Sequence, residues 1–433
     1  MKNNFTMFLL LVLGGLSLLA LLQIKNAEEL TEVPDQNLEQ DQEMISLYAK
    51  GKTDDGLNLI AYRSREEGLD FEELHLKGMD GEIIHTWKTD FDYPEPRKEE
   101  STDEDHILGR LLPDGDIIIL TPRKGIARLD WESNVVWHLK GDYHHEVQVV
   151  GDYIYTLLHE TRYLDYKNQT VPIIDDVVVK MDHDGNLLET KSLYDVFKDI
   201  VPANMYEKII AYMRDEGVYD EIQSKPDQYF FTYNKPWDIF HTNSLQVLGD
   251  SSPIFSEGQI LVSFRTLSTV AIYEPETDEI IWTYAGEMIH QHNPTLLDNG
   301  NLLIYDNGSD SMEEGEGILV DEVFVDGELR LRGLSQRLYS RIIELNPATK
   351  EIEWKYVGQP RDSFYSRVMG SVQRLSNKNT LFVDAVGGKI YEVTLEGEIV
   401  WKYNSPVESM ILYRAYRLTD EEEGYIKNFL KLE

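Results

Sequence analysis

A two-part unit recurs six times along this chain, and no other feature of the sequence limits the fold so sharply. One part is an apolar strand, a turn rich in Asp, Gly or Glu, and a strand that ends in Trp. It starts at Leu74-His75-Leu76, passes the turn Met79-Asp80-Gly81-Glu82 and ends at Trp87. It returns at Ala127–Trp137, Val178–Leu188, Ala271–Trp282, Ile342–Trp354 and Ile390–Trp401, the third time without its Trp. The other part is a pair of apolar strands around a Gly/Asn/Asp turn, seen at Leu111–Ile119, Val149–Tyr155 and Leu296–Ile304, and more loosely at Val247–Val262 and Leu375–Val383. Turn residues between apolar runs of period two signal hairpins. Six two-hairpin units predict an all-β fold, a six-bladed β-propeller of four-stranded blades over residues 46–417. Closing a ring also removes exposed sheet edges.

The repeat is uneven. Trp87 and Trp137 are 50 residues apart, whereas Trp282 and Trp354 are 72 apart, so the excess is insertion. Residues 192–236 predict a helical insertion, with Ser192 as a cap and Met205, Ile209, Ile210 and Met213 at helical spacing. Residues 309–338 predict a hairpin insertion around Asp326-Gly327. Insertions of this kind are expected over one mouth of the channel. Residues 418–433 predict a short C-terminal helix, with Thr419 and Glu422 forming a capping box.

Before the repeats, Lys2 precedes an apolar run of 20 residues, Phe5–Ile24, close to the span of a bilayer. Acidic residues Glu28, Glu29, Glu32 and Asp35 follow. Residues 1–24 therefore predict a transmembrane signal anchor or a signal peptide, and residues 25–45 a polar spacer. The charge bias puts the propeller on the periplasmic or extracellular side, membrane-anchored through the N-terminal helix or secreted. The chain carries 78 acidic and 41 basic residues, a formal charge of -37. That field excludes nucleic acid as a partner and requires a local cluster of Arg and His for any anionic ligand. With no cysteine, disulfides and thiolate metal sites are excluded.

Such a cluster is concentrated between Trp237 and Gly308. His292 lies four residues before the apolar pair Leu296-Leu297, His145 four before Val149-Val150, and His241 six before Val247-Leu248. Strand side chains alternate faces, so the shared parity predicts that three histidines from three blades face the axis. Asn243 shares the face of His241, and Arg265 ends the next strand of that blade. His144 and His290 neighbour the favoured pair and become the inward residues if a bulge shifts the strand. His75, His85, His106, His138, His159 and His183 lack the phase and are expected at the surface or in packing. Strand-spaced His290 and His292 lack an adjoining carboxylate, so no metal site is expected.

The run Asp238…His241-Thr242-Asn243-Ser244, then Ser263-Phe264-Arg265, Ile281-Trp282, Gln291-His292 and Asp306-Asn307-Gly308, resembles the bacterial arylsulfotransferase (aryl-sulfate sulfotransferase) family. The repeats extend the resemblance over residues 46–417. It implies an exported six-bladed propeller with PQQ-like repeats that uses no cofactor and no nucleotide sulfate donor (PAPS). It implies that His292 is the nucleophile sulfated in a ping-pong reaction. His241, Asn243 and Arg265 would contact the sulfuryl group, and His145 would complete the pocket. The substrates implied are a small-molecule aryl sulfate and a phenol. Asn293 stands where the family often has an acidic residue, and a cysteine pair of its better-known members is absent. Sulfuryl transfer also fits the residue types, because it needs an imidazole nucleophile and fixed cationic donors around the non-bridging oxygens. Two other readings compete: a propeller that binds a protein or glycan without catalysis, and an aryl sulfate hydrolase. Quinone-dependent dehydrogenases share the Trp-ending repeat, but the missing cysteines count against them.

Overall fold

The computed structural model describes residues 44–63, 72–88, 107–121, 124–226, 235–249, 254–308, 322–325, 328–331, 337, 339–406 and 411–430. The apolar segment and most of the spacer, residues 1–43, lie outside the described residues, as does His106. No helix among the described residues is long and apolar enough to cross a membrane.

Six antiparallel sheets follow one another around a ring. Blade 1 is built from Ile411–Arg417, Asn58–Arg63, Glu72–Lys77 and Ile83–Lys88, in that order across the sheet. The end of the chain thus supplies the first strand of blade 1. Blades 2 to 5 begin at Leu108, Tyr143, Thr242 and His292, and blade 6 at Val372. Blade 6 gains a fifth, outermost strand, Ile45–Tyr48, paired to Ile399–Asn404. A separate two-stranded hairpin, Glu322–Val325 with Glu328–Leu331, lies between the second and third strands of blade 5.

The recurring Trp has a physical explanation. An indole N–H taken out of water needs an acceptor, and four of the recurring tryptophans find a carbonyl in the turn of the next blade, whereas the N–H of the fully buried Trp87 has no hydrogen-bond partner among the described residues. Trp137 donates to His183 O (2.8 Å), Trp282 to Pro347 O (2.9 Å) and Trp354 to Leu395 O (2.7 Å). Trp401 donates to Met79 O (2.9 Å), which joins the sixth blade to the first. At the first junction Trp87 packs edge-on against Trp131, and His85 Nε2 donates to Trp131 O (2.8 Å). At the third, where no Trp exists, Lys191 reaches Asp278 in the corresponding turn (2.7 Å).

Blade 3 departs from the others. Its second and third strands, Tyr153–Tyr166 and Gln169–Asp182, are 14 residues each and form a long hairpin. The hairpin outruns its innermost strand, whose pairing stops at Tyr143 opposite Leu158. It therefore projects from the end of the propeller at which the innermost strands begin. Helices Leu193–Phe197, Ala203–Asp215 and Tyr219–Ser224 pack against it, burying Phe197, Met205, Ile209, Met213 and Ile222 together with Val171 and Ile173. Ser192 Oγ caps the first helix by accepting from Asp195 N (3.0 Å). The C-terminal helix, Asp420–Leu430, carries a reciprocal capping box between Thr419 and Glu422.

This closure scheme predicts unequal costs for its tryptophans. Trp401 is fully buried at the last-to-first junction, whereas Trp354 is half-buried. Trp401→Ala is expected to lower stability by about 3–5 kcal/mol, the range for truncating a buried aromatic, and Trp354→Ala by clearly less. Denaturant midpoints check this, and equal losses would contradict the scheme.

Candidate active site

The innermost strands of blades 3, 4 and 5 each carry a β-bulge near their start. The pairing register shifts next to His145, at Asn243 and next to Asn293. His145 (φ 55°), His241 (φ 46°), His290 (φ 51°) and Asn293 (φ 46°) all adopt left-handed backbone conformations. Such geometry is unfavourable for residues with a Cβ and persists only where the surroundings impose it. Bulges re-aim side chains, so counting alternate residues back from the apolar pair loses its phase here. Aligned on Val247 and Leu296, Asn243 occupies the register of His292, and His241 that of His290. The histidines converge by bulge geometry and not by simple alternation. The ring of His145 stands 5.1 Å from that of His241, edge to face.

His292 is buried and held from one side. Its Nδ1 lies 2.8 Å from Asn307 Oδ1 and 3.0 Å from the His290 carbonyl. Asn307 donates its own amide to Ser366 O and Met369 O, which fixes Oδ1 as the acceptor. Nδ1 therefore carries the proton, and Nε2 carries the lone pair. Burial pushes the ring's pKa down to about 3, aided by the charges of Arg265, His241 and Arg414 and opposed by the Asn307 bond. The ring is neutral across the physiological range. Gly308 follows Asn307 for a steric reason: its φ is 79°, and a Cβ there would collide with the Tyr339 carbonyl. Asp306 anchors the same turn through Ile289 N (3.0 Å) and Arg341 (2.7 Å).

His241 Nδ1 donates to Asp238 Oδ2 at 2.6 Å, which leaves its Nε2 on the other side of the ring. Asn243 donates to Gln291 O (2.8 Å), and Gln291 donates to Ser263 Oγ, Phe264 O and Thr269 O. The Arg265 backbone N–H donates to His241 O (3.3 Å). These bonds stitch the separated sequence motifs into one buried unit. Arg265 itself is 5% exposed and close enough for its charge to act on His292. His290 contributes its carbonyl to this arrangement. Asn293 works as a connector, accepting from Val372 N of blade 6 (2.9 Å), while Asn307 is the residue that holds His292.

The structure adds residues that no motif suggested. Arg414, on the closing strand of blade 1, pairs with Glu146 of blade 3 (2.5 Å) and donates to Asn243 O of blade 4 (2.9 Å). An arginine from blade 1 that reaches blade 4 has crossed the middle of a six-membered ring. Arg110 of blade 2 flanks the same carboxylate (3.6 Å). The available sequence signal was a lone arginine amid Leu412, Tyr413 and Ala415. His159, expected at the surface or in packing, has a buried side chain stacked on His144 with centroids 3.4 Å apart. His144 Nδ1 in turn meets His145 Nδ1 at 2.8 Å. His144 thus bridges His145 and His159.

Residues 109–405 match the family description "Arylsulfotransferase (ASST)", which covers 297 of 433 residues. The chain belongs to the arylsulfotransferase family. A sulfotransferase-type function follows from that membership. No curated protein matches the chain significantly. Solved structures similar to it include a protein of unknown function from Bacteroides caccae, 11% identical with a TM-score of 0.45, covering 83% of this chain and 98% of that one. A streptogramin B lyase is 11% identical with a TM-score of 0.40, covering 84% and 88%. A virginiamycin B lyase from Staphylococcus aureus is 10% identical with a TM-score of 0.38, covering 84% and 89%. Likenesses this distant carry nothing about chemistry. Within the arylsulfotransferase match lie His145, His241, Asn243, Arg265 and His292, whereas Arg414 falls beyond its end.

The depressed pKa of His292 gives a test of the site's electrostatics. The unfolded chain takes up a proton at this residue near pH 6.5, whereas the folded chain resists until about pH 3. The folded state therefore loses stability as pH falls between those values, by about 1.4 kcal/mol per unit. His292→Gln removes that contribution. Denaturant unfolding at pH 6, 5 and 4 is expected to show the variant losing less stability on acidification than wild type. Parallel pH profiles would contradict the buried, neutral histidine.

Proposed function

We propose that this arylsulfotransferase-family protein moves a sulfuryl group from an aryl sulfate to a phenol through a sulfated His292, without a nucleotide donor. The observation that carries the reading is the fixed tautomer of His292, which presents a neutral Nε2 beside the guanidinium of Arg265. In the first half-reaction Nε2 attacks sulfur and the sulfur–oxygen ester bond breaks. The departing phenolate takes a proton from His241 Nε2, whose ring is steadied by Asp238. In the second half-reaction the acceptor phenol returns a proton to His241 and its oxygen attacks sulfur. The nitrogen–sulfur bond then breaks and His292 is restored. The Nδ1 proton stays in place throughout, and positive charge developing on the ring is met by Asn307 Oδ1 and His290 O.

The non-bridging oxygens carry the charge of a loose transition state and need preorganised donors. Arg265 supplies a planar fork and permanent charge, and Arg414 adds a second cation whose position is fixed by Glu146. Asn243 and His145 complete the surroundings of the group in transit. His144 and His290 act from behind, as supports of His145 and His292. The projecting hairpin of blade 3 and its helices stand at the same mouth and restrict entry to a small aryl group. On the evidence of Lys2 and Phe5–Ile24, the propeller works outside the cytoplasm, tethered to the membrane or secreted.

The test uses a chromogenic aryl sulfate with residues 26–433 of the protein. Phenolate release is expected to depend on an added phenol, to be lost in His292→Ala, and to fall about 10²–10³-fold in Arg265→Ala, the usual cost of removing one oxyanion donor. Release that needs His292 but no phenol would make the protein a hydrolase. A folded wild type that releases nothing across several donors would overturn the assignment and favour a binding propeller.

A further inference from the structure

Behind the proposed pocket, one face of blade 3 carries a row of three buried groups on three adjacent strands. His144 lies on the innermost strand, His159 on the second and Asp176 on the third, directly opposite His159 in the register. Their side chains are 3%, 5% and 1% exposed. Asp176 Oδ1 is 3.7 Å from His144 Nε2 and 3.2 Å from His159 Nε2. One ligand atom from each residue lies within 4.8 Å of the others.

What distinguishes this cluster is where the remaining polar atoms go. Asp176 Oδ2 accepts from Thr242 N at 2.7 Å. His144 Nδ1 meets His145 Nδ1 at 2.8 Å, and His159 Nδ1 faces Asp142 Oδ2 at 4.0 Å. Asp176 and His144 are thus gripped by their outer atoms, and His159 has the Asp142 carboxylate on its outer side, while the inner atom of each residue turns to a shared centre. Metal-ligating histidines and carboxylates are held from behind in this manner. The geometry points to a divalent transition-metal site of the zinc class at His144 Nε2, His159 Nε2 and Asp176 Oδ1. Two imidazoles and one carboxylate suit Zn²⁺ or Co²⁺, with the fourth position left for water. Ligand atoms at about 2.0–2.1 Å from tetrahedral zinc stand roughly 3.3 Å apart, close to the 3.2 and 3.7 Å found here. The two rings are stacked within 7° of parallel, so a shared ion requires them to splay by a modest rotation. A cation also suits the local field, because Asp142, Asp176 and Asp238 all act on His159.

The site has a consequence for the neighbouring pocket, and that consequence alone rests on the sulfuryl-transfer reading. A metal on His144 Nε2 leaves the ring's proton on Nδ1, which must donate to His145 Nδ1. The proton of His145 then sits on Nε2, and the residue serves the pocket as a hydrogen-bond donor. The metal would act as a positioning device for His145.

Metal content decides the matter separately from activity. The full chain, purified in detergent without metal-affinity chromatography, is loaded with Zn²⁺ and dialysed, and bound zinc is counted by elemental analysis. About one equivalent is expected in wild type, and less than a tenth of that in His159→Gln and in Asp176→Asn, with circular dichroism confirming that both fold. X-ray absorption at the zinc edge of wild type is expected to show two imidazole ligands, a readout independent of whether either variant folds. Wild type that retains no zinc, a zinc shell without imidazole, or folded variants that bind like wild type would each overturn the site. In the absence of metal, the surrounding carboxylates would instead favour a protonated His159 against Asp176.

Discussion

A propeller laid down in chain order leaves its first blade without an innermost strand until the last residues return. Here Ile411–Arg417 makes that return and pairs with Asn58–Arg63. Several otherwise separate features hang on this single pairing. The Trp401 indole reaches Met79 in the blade that the strand completes. Arg417, also buried, bonds Asn58 and Glu392 and so ties blade 1 to blade 6. Arg414, three residues earlier, reaches the centre of the ring only because the strand lies innermost. The chemistry of the centre is therefore incomplete until the end of the chain is in place.

Charge makes the centre unlike the rest of the molecule. The chain as a whole carries -37, a field that opposes the approach of any anion. Around His292 the balance reverses: the charges of Arg265 and Arg414 act on its ring, and Glu146 pairs with Arg414 and Arg110. Buried charges of one sign are costly unless paired, and Glu146 compensates Arg414 and Arg110. Burial, aided by the same positive field, holds His292 neutral. In the proposed transfer, one arrangement serves both a nucleophile that must stay unprotonated and an anionic group that must be held.

Much of the fold was legible because its signals are local. A turn between apolar runs, and a tryptophan whose N–H must find a carbonyl, are each readable within a dozen residues. The third unit lacked its Trp, and Lys191 with Asp278 took over its junction. The site was legible in a different sense. Composition and motif single out His145, His241, Asn243, Arg265 and His292, but strand parity does not register the bulges through which His145, His241 and Asn293 turn. Arg414 and Glu146 escaped notice because 268 residues separate the two partners, and neither belongs to a motif. Strand phase puts His159 at the surface or in packing, but it cannot show that the ring stacks on His144. Long-range polar contacts within a ring depend on closure, and closure is a property of the whole chain.

The most direct measurement of the central claim is the position of the covalent intermediate. Wild-type protein would be mixed with an aryl sulfate in the absence of phenol, quenched under mildly alkaline conditions, digested and mapped by mass spectrometry. The account predicts a single sulfuryl adduct on the peptide containing His292, which disappears when phenol is added before quenching. An adduct on another residue, or donor turnover to phenol with no adduct at any time, would contradict it.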